Sequence, residues 1–266
     1  MRNRKFCWQS AALVLGSLLS LCASGALGQT LKEVTKFDLP GPGGKRFDYL
    51  TTDPDDHYLI SAHLAADQTY VIDLATNKVV ATVADTPGAE GVEYVSELKK
   101  FYTSNAHDNT IGVVDLKQMK VVKKLKTEAK PDGSAYTAPF HKLYVSDERG
   151  KAEAVVDVTK DEIVKTLHFD SETGMPQYDP VARKVYVNLQ DQNIFAVIDP
   201  ATDNVVGRYP VRKCQGNHGM ALDFRVQHAV HTMAMDLKTH RLYTPEQEED
   251  GKPVARMVVY ETLNDR

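Results

Sequence analysis

Four apolar runs in this chain each end on an aspartate: Tyr-Val-Ile-Asp at 70–73, Gly-Val-Val-Asp at 112–115, Ala-Val-Val-Asp at 154–157 and Ala-Val-Ile-Asp at 196–199. The aspartates Asp73, Asp115, Asp157 and Asp199 fall 42 residues apart. A second marker keeps the same interval: Lys-Phe-Tyr-Thr-Ser, Lys-Leu-Tyr-Val-Ser and Lys-Val-Tyr-Val-Asn place Tyr102, Tyr144 and Tyr186 in register. Apolar and polar positions alternate at period two within these runs, the pattern of strands in sheets that pack on neighbouring sheets. Polar stretches between them, such as 105–110 and 190–193, carry side chains that bond their own backbone in turns.

A unit of that length made of short strands is the period of a β-propeller blade. Each unit reads as four strands, A to D. Short A strands are predicted at 92–95, 134–137 and 176–179. B strands carry the tyrosine, C strands end on the aspartate, and D strands follow at 78–83, 121–125, 163–168 and 205–211. The repeated aspartates read as turn formers that accept backbone N–H groups rather than as ligands. Residues 30–40 resemble a D strand without a blade of its own, and 254–262 a C strand with no D strand after it. The two ends are therefore expected to pair, so that the N-terminal strand completes the last blade and hides two edges.

The repeated tyrosine strand (Tyr102, Tyr144, Tyr186, Tyr243) and the Val-Ile-Asp-Leu-Ala-Thr-Asn-Lys-Val-Val hairpin at 71–80 resemble the bacterial YVTN-repeat, or YncE-like, β-propeller family from residue 30 onward. The resemblance implies an all-β, seven-bladed scaffold, bacterial origin and a binding function, while fold alone does not define activity. Only about five complete blades can be built here: four from 47–211 and one from 231–262 plus the N-terminal strand. An A strand begins at Gly219-Met-Ala-Leu-Asp223, and a second A strand comes at once at 231–236. Residues 224–230 read as the scar of an internal deletion or gene-model error. Restoring 71 residues would give seven blades and restoring 29 would give six. A ring short of blades loses interfaces that close-packed sheets do not readily replace, so an open, strained or unstable ring is expected. The competing reading is a naturally five- or six-bladed relative.

Residues 1–28 read as an export signal, with Arg2, Arg4 and Lys5 before an apolar core at 11–21 and Ala26-Leu27-Gly28 at the cleavage position. The apolar run is too short to span a membrane as a helix. Residues 29–266 then form a single propeller domain, periplasmic or secreted, with no membrane span and a monomeric state expected. Lipidation at Cys22 is disfavoured by Leu21 before it. The full chain has 32 basic and 36 acidic side chains, and removal of the signal leaves 29 against 36, a net charge of −7. That balance disfavours nonspecific nucleic-acid binding, and the lysines at 117, 120, 123, 124 and 126 read as a solvated outer edge. Cleavage removes Cys7, Cys22 and Trp8, leaving Cys214 as the one cysteine and no tryptophan. No intramolecular disulfide, covalent c-type haem or cysteine-rich zinc site is expected, and Cys214 reads as a packing residue.

Function must come from loops around the channel, at the D-to-A connections and A-strand starts. Those positions hold Arg46, Asp48, Glu90, Asp132, Gln177, Asn217, His218 and His231, with His228 nearby. Carboxylates and imidazoles converging in one funnel suit a cation, a sugar or a lactone, and can act as acid and base. The competing reading has them cap turns and hydrate the channel, with His218-Gly219 only turning the backbone. No metal is assigned: His228 and His231 are spaced i, i+3 but fall on loop and strand, and His63 and His107 sit at unmatched offsets. Phosphate loops, Gly-x-Ser-x-Gly and His-Glu-x-x-His are absent from the sequence. The expected function is a noncatalytic binding propeller for a small molecule, polysaccharide or protein; the alternative is a lactonase-like or other hydrolase.

Overall fold

Turn chemistry at fixed repeat positions sets the strand boundaries. Asp73 Oδ1 accepts the N–H groups of Ala75 and Thr76 at 2.8 Å, Asp115 that of Gln118 at 2.8 Å, Asp157 that of Thr159 at 3.0 Å and Asp199 that of Ala201 at 3.2 Å. Each C–D turn closes on a left-handed residue, Asn77, Met119, Asp161 or Asp203, with φ of 53–54°. Asparagine and aspartate tolerate that region well. The repeated aspartates are thus turn formers.

The computed structural model describes residues 31–211, 216–219, 234–236, 239, 241–249 and 251–262. The proposed signal, the 224–230 junction, Cys214, His228 and His231 lie outside the described residues.

Blade 1 contains β2 (Leu50–Asp53), β3 (Tyr58–His63), β4 (Gln68–Asp73) and β5 (Lys78–Val83). Blade 2 has β6 (Ala89–Val95), β7 (Lys100–Asn105), β8 (Thr110–Asp115) and β9 (Lys120–Lys126). Blade 3 has β10 (Pro131–Thr137), β11 (Lys142–Asp147), β12 (Ala152–Asp157) and β13 (Glu162–His168). Blade 4 has β14 (Thr173–Asp179), β15 (Lys184–Leu189), β16 (Ile194–Asp199) and β17 (Asn204–Pro210). Blade 5 joins β18 (Ala234–Asp236), β19 (Arg241–Glu249) and β20 (Lys252–Thr262) to β1 (Leu31–Asp38), in the order β1-β20-β19-β18. The N-terminal strand does complete the last blade, running antiparallel from Leu31 opposite Thr262 to Asp38 opposite Arg256. The five antiparallel, four-stranded sheets make the protein an all-β propeller. The lysine-rich strand β9 is an outer edge, as expected, and Lys124 there pairs with Asp85 and Asp108.

The A strands differ from expectation. β6, β10 and β14 each start three residues earlier than predicted and carry a register shift, between Ala89 and Val92, Pro131 and Ser134, and Thr173 and Pro176. An irregular segment breaks the period-two pattern, so alternation marks only the regular half of the strand. Glu90 and Asp132 therefore stand inside A strands, within the irregular half, rather than in the preceding loops.

Buried clusters form between blades rather than within them. Tyr243, Met257 and Val259 of blade 5 pack with Leu59, Tyr70 and Ile72 of blade 1, and similar clusters join blades 1 and 2, 2 and 3, and 3 and 4. Each junction buries apolar area that a lone blade would expose, which is the main stabilising term of such repeats. The B-strand tyrosines add a polar latch across two of these junctions. Tyr102 Oη and Lys100 Nζ donate to the Asp161 carboxylate of the next blade at 2.6 and 2.5 Å. Tyr144 Oη and Lys142 Nζ reach Asp203 at 2.5 and 2.6 Å.

Candidate functional site

The 42-residue period places Asp48, Glu90 and Asp132 at one repeat position in blades 1 to 3, with Gly174 at that position in blade 4. The A strands of neighbouring blades lie side by side along the axis. Tyr49 N–H donates to the Glu90 carbonyl at 3.2 Å, and Met175 N–H to that of His218 at 2.8 Å. Glycine permits this approach: a Cβ at position 91 would stand 2.2 Å from the Asp132 carbonyl oxygen, and one at position 174 would stand 2.5 Å from that of His218. The three acids are brought into one buried group, with Asp48 0%, Glu90 3% and Asp132 3% exposed.

Cations and a histidine surround this column. Arg46 Nη2 donates to Asp48 Oδ2 at 2.7 Å. Lys130 hydrogen-bonds Glu148 and stands 3.5 Å from Glu90 Oε2 and 3.9 Å from Asp132 Oδ2. His218 Nε2 lies 3.5 Å from Asp132 Oδ2 and 3.4 Å from the Tyr49 hydroxyl. Asp132, Glu148 and His218 each offer a metal-ligating atom, and these atoms lie within 4.8 Å of one another.

Burial sets the protonation of the cluster. It pushes the Asp48 carboxyl up to about 7 against the pull of Arg46, with Glu90 adding to the rise. Burial, then the neighbouring Glu90 charge, raises Asp132 well above the usual carboxylate range. Burial would also raise Glu148, but the Lys130 hydrogen bond and charge outweigh it and hold that carboxyl low. The Tyr49 phenol is raised by burial and by the charges of Asp132, Asp48 and Glu90. Groups that exchange protons near neutral pH beside others held ionised suit acid–base chemistry and recognition of polar ligands.

Of the residues expected from sequence, Arg46, Asp48, Glu90, Asp132 and His218 meet here. Gln177 belongs elsewhere: it pairs with Tyr186 in the regular part of β14, three residues past the position that Gly174 occupies. Asn217 is an anchor, donating to Asn188 Oδ1 at 2.8 Å and to the Ile194 carbonyl at 2.9 Å, which fixes the segment presenting His218. His63 is stacked on Phe47 and bonded to the Tyr70 hydroxyl and the Lys45 carbonyl, as a packing residue. Sequence reasoning missed Tyr49, Lys130 and Glu148. Tyr49 and Glu148 depart from the repeat, Glu148 succeeding its B strand where blades 2 and 4 have Ala106 and Gln190, while Lys130 stands at the repeat position of Arg46, the signal by which it could have been found.

The sequence matches no protein-family model and no curated protein. Solved structures do resemble it. One is hydrazine synthase of Kuenenia stuttgartiensis, with a TM-score of 0.57 and 24% identity over 66% of this chain and 51% of that one. Another is the dihydro-heme d1 dehydrogenase NirN in complex with DHE, with a TM-score of 0.53 and 20% identity over 62% and 38%. The chain thus spans about half or less of the length of these matches, both β-propeller proteins. At such identities the likeness defines the architecture alone, and the chain is a β-propeller.

Proposed function

We propose that this protein is an exported, noncatalytic β-propeller of the YVTN-repeat, YncE-like type that binds a small polar molecule, a polysaccharide or a protein loop at its channel face. The carrying observation is the convergence of Asp48, Lys130, Glu148 and His218 from connecting segments with Glu90 and Asp132 of the inner strands, where a packed scaffold has no need for buried charge. The tyrosine strands and the 71–80 hairpin support the family, and the basic start, apolar run and Ala26-Leu27-Gly28 support export to the periplasm or beyond, with 29–266 as the working domain.

A hydrolase reading is favoured by one feature, the Asp48 carboxyl at about 7 in a polar funnel, a value suited to proton transfer. A thermal-shift scan against sugars, lactones and nucleotides, with turnover assays of any hit, tests both readings. Binding without turnover, weakened in increments by Glu90→Ala and His218→Ala, is the expected result. Turnover abolished by either variant with folding intact would replace the binding reading with the hydrolase one. A scan in which no ligand moves the transition would overturn both.

A further inference from the structure

The channel cluster is composed like a cation site rather than like a set of independent ion pairs. Asp132 and Glu148 supply carboxylate oxygen and His218 supplies imidazole nitrogen, from three segments that meet at the inner edge of blade 3. The His218 Nε2 to Asp132 Oδ2 separation of 3.5 Å is close to the edge of a zinc tetrahedron, in which bonds of about 2.0–2.1 Å put ligand atoms roughly 3.3–3.4 Å apart. The set spans no more than 4.8 Å, so Glu148 needs only a side-chain adjustment to join the other two.

A second observation points the same way. The Glu90 side chain is 4% exposed, and its Oε2 receives no hydrogen bond among the described residues. Lys130 Nζ stands off at 3.5 Å while it hydrogen-bonds Glu148. One lysine thus faces three carboxylates at once, two of them buried, so the group holds more acidic oxygens than cationic donors to satisfy them.

We propose that Asp132, Glu148 and His218 bind a divalent first-row transition ion of the Zn2+ class, with Glu90 beside it as a compensating carboxylate. Imidazole in the donor set favours such ions over Mg2+ and Ca2+, which prefer oxygen alone. Three protein ligands leave the ion a further position for water or for an oxygen of the bound molecule. The inference rests on the reading of this cluster as the binding site, and it assigns that site an ion as its first ligand. Lys130 is then a competitor that releases Glu148 when the ion binds.

Titration calorimetry of the purified, untagged chain with zinc chloride alone tests this. Saturable one-to-one binding is expected, with affinity reduced about tenfold or more by His218→Ala and by Glu148→Gln, and increased by Lys130→Met. The Glu148→Gln variant keeps the test decisive should His218→Ala fail to fold, and melting in EDTA reports folding for each. Absence of saturable binding, or binding unchanged in Glu148→Gln and Lys130→Met, overturns the site. A sugar or lactone that stabilises the protein in EDTA, with no zinc binding, would sink the ion while sparing the proposed function. Zinc binding with no organic ligand found would do the reverse.

Discussion

Blades 3 and 4 carry the same repeat and differ in what covers them. Tyr144 of blade 3 is fully buried, and its hydroxyl and Lys142 are latched to Asp203 of blade 4. Tyr186 of blade 4, at the same position, is only half-buried, and Lys184 turns to Asp199 of its own blade at 3.5 Å. Phe195 and Tyr209 stack beside it with centroids 5.3 Å apart, and Tyr209 is 52% exposed. No buried cluster joins blade 4 to blade 5 among the described residues, whereas clusters join 5 to 1, 1 to 2, 2 to 3 and 3 to 4. A blade's far face is therefore completed by its successor, and strands of like sequence reach different burial according to the neighbour each one meets.

The largest test of that contrast is paired truncation. Tyr144→Ala should cost about 3–5 kcal/mol, through lost burial and the loss of one of the two side-chain bonds to Asp203, while Tyr186→Ala should cost about 1–2 kcal/mol. Urea melts of both variants check this, and equal losses would mean that the face of blade 4 is covered as well as that of blade 3.

A smaller effect comes from Glu93 in blade 2, whose repeat position in blade 4 is occupied by Gln177. Burial raises the Glu93 carboxyl from 4.5 to about 8, against the backbone hydrogen bond at Tyr136. Its folded value lies above its unfolded one, so the unfolded state ionises first. The neutral carboxyl contributes its full stability below about pH 4.5, and that contribution is lost as pH rises toward 8. Glu93→Gln should flatten the fall in melting temperature across this window, and an unchanged pH profile would show that water reaches the junction of blades 2 and 3.

The smallest effect sharpens the comparison by ignoring the neighbour altogether. Asp157→Ala and Asp199→Ala each remove a turn N–H bond, that of Thr159 at 3.0 Å in blade 3 and that of Ala201 at 3.2 Å in blade 4, and Asp157→Ala also removes the bonds from the Thr159 hydroxyl and Lys160. Each should cost about 1 kcal/mol, measured by urea melts, because the bonds are local to the turn. A larger cost for Asp199→Ala than for Asp157→Ala would show that turn stability depends on more than the turn's own bonds.

Much of the fold was legible because repeats report themselves. The aspartate and tyrosine series located the strands, and the unpaired patterns at 30–40 and 254–262 announced the closing pair. The A strands were misjudged because their first halves are irregular, and the alternation that reveals a strand vanishes there. The candidate site was half legible. Asp48, Glu90 and Asp132 share a repeat position, but Gln177 was matched to them by its place near a strand start, where the true counterpart is Gly174. Glu148 and Tyr49 gave no periodic signal, since each departs from the repeat, whereas Lys130 stands at the repeat position of Arg46 and was overlooked.

Spacing and turn chemistry by themselves determined the blade, the number of blades and the pairing of the chain ends, because a strand's period and an aspartate's reach into its own turn are local properties. The tertiary structure decided which acids meet which cations. Asp132, Glu148 and His218 come from separate segments, and only the close backbone approaches at Gly91, to Asp132, and at Gly174, to His218, bring such groups within a few ångströms. It also decided which tyrosines are buried, since the cover over each blade is supplied by another part of the chain.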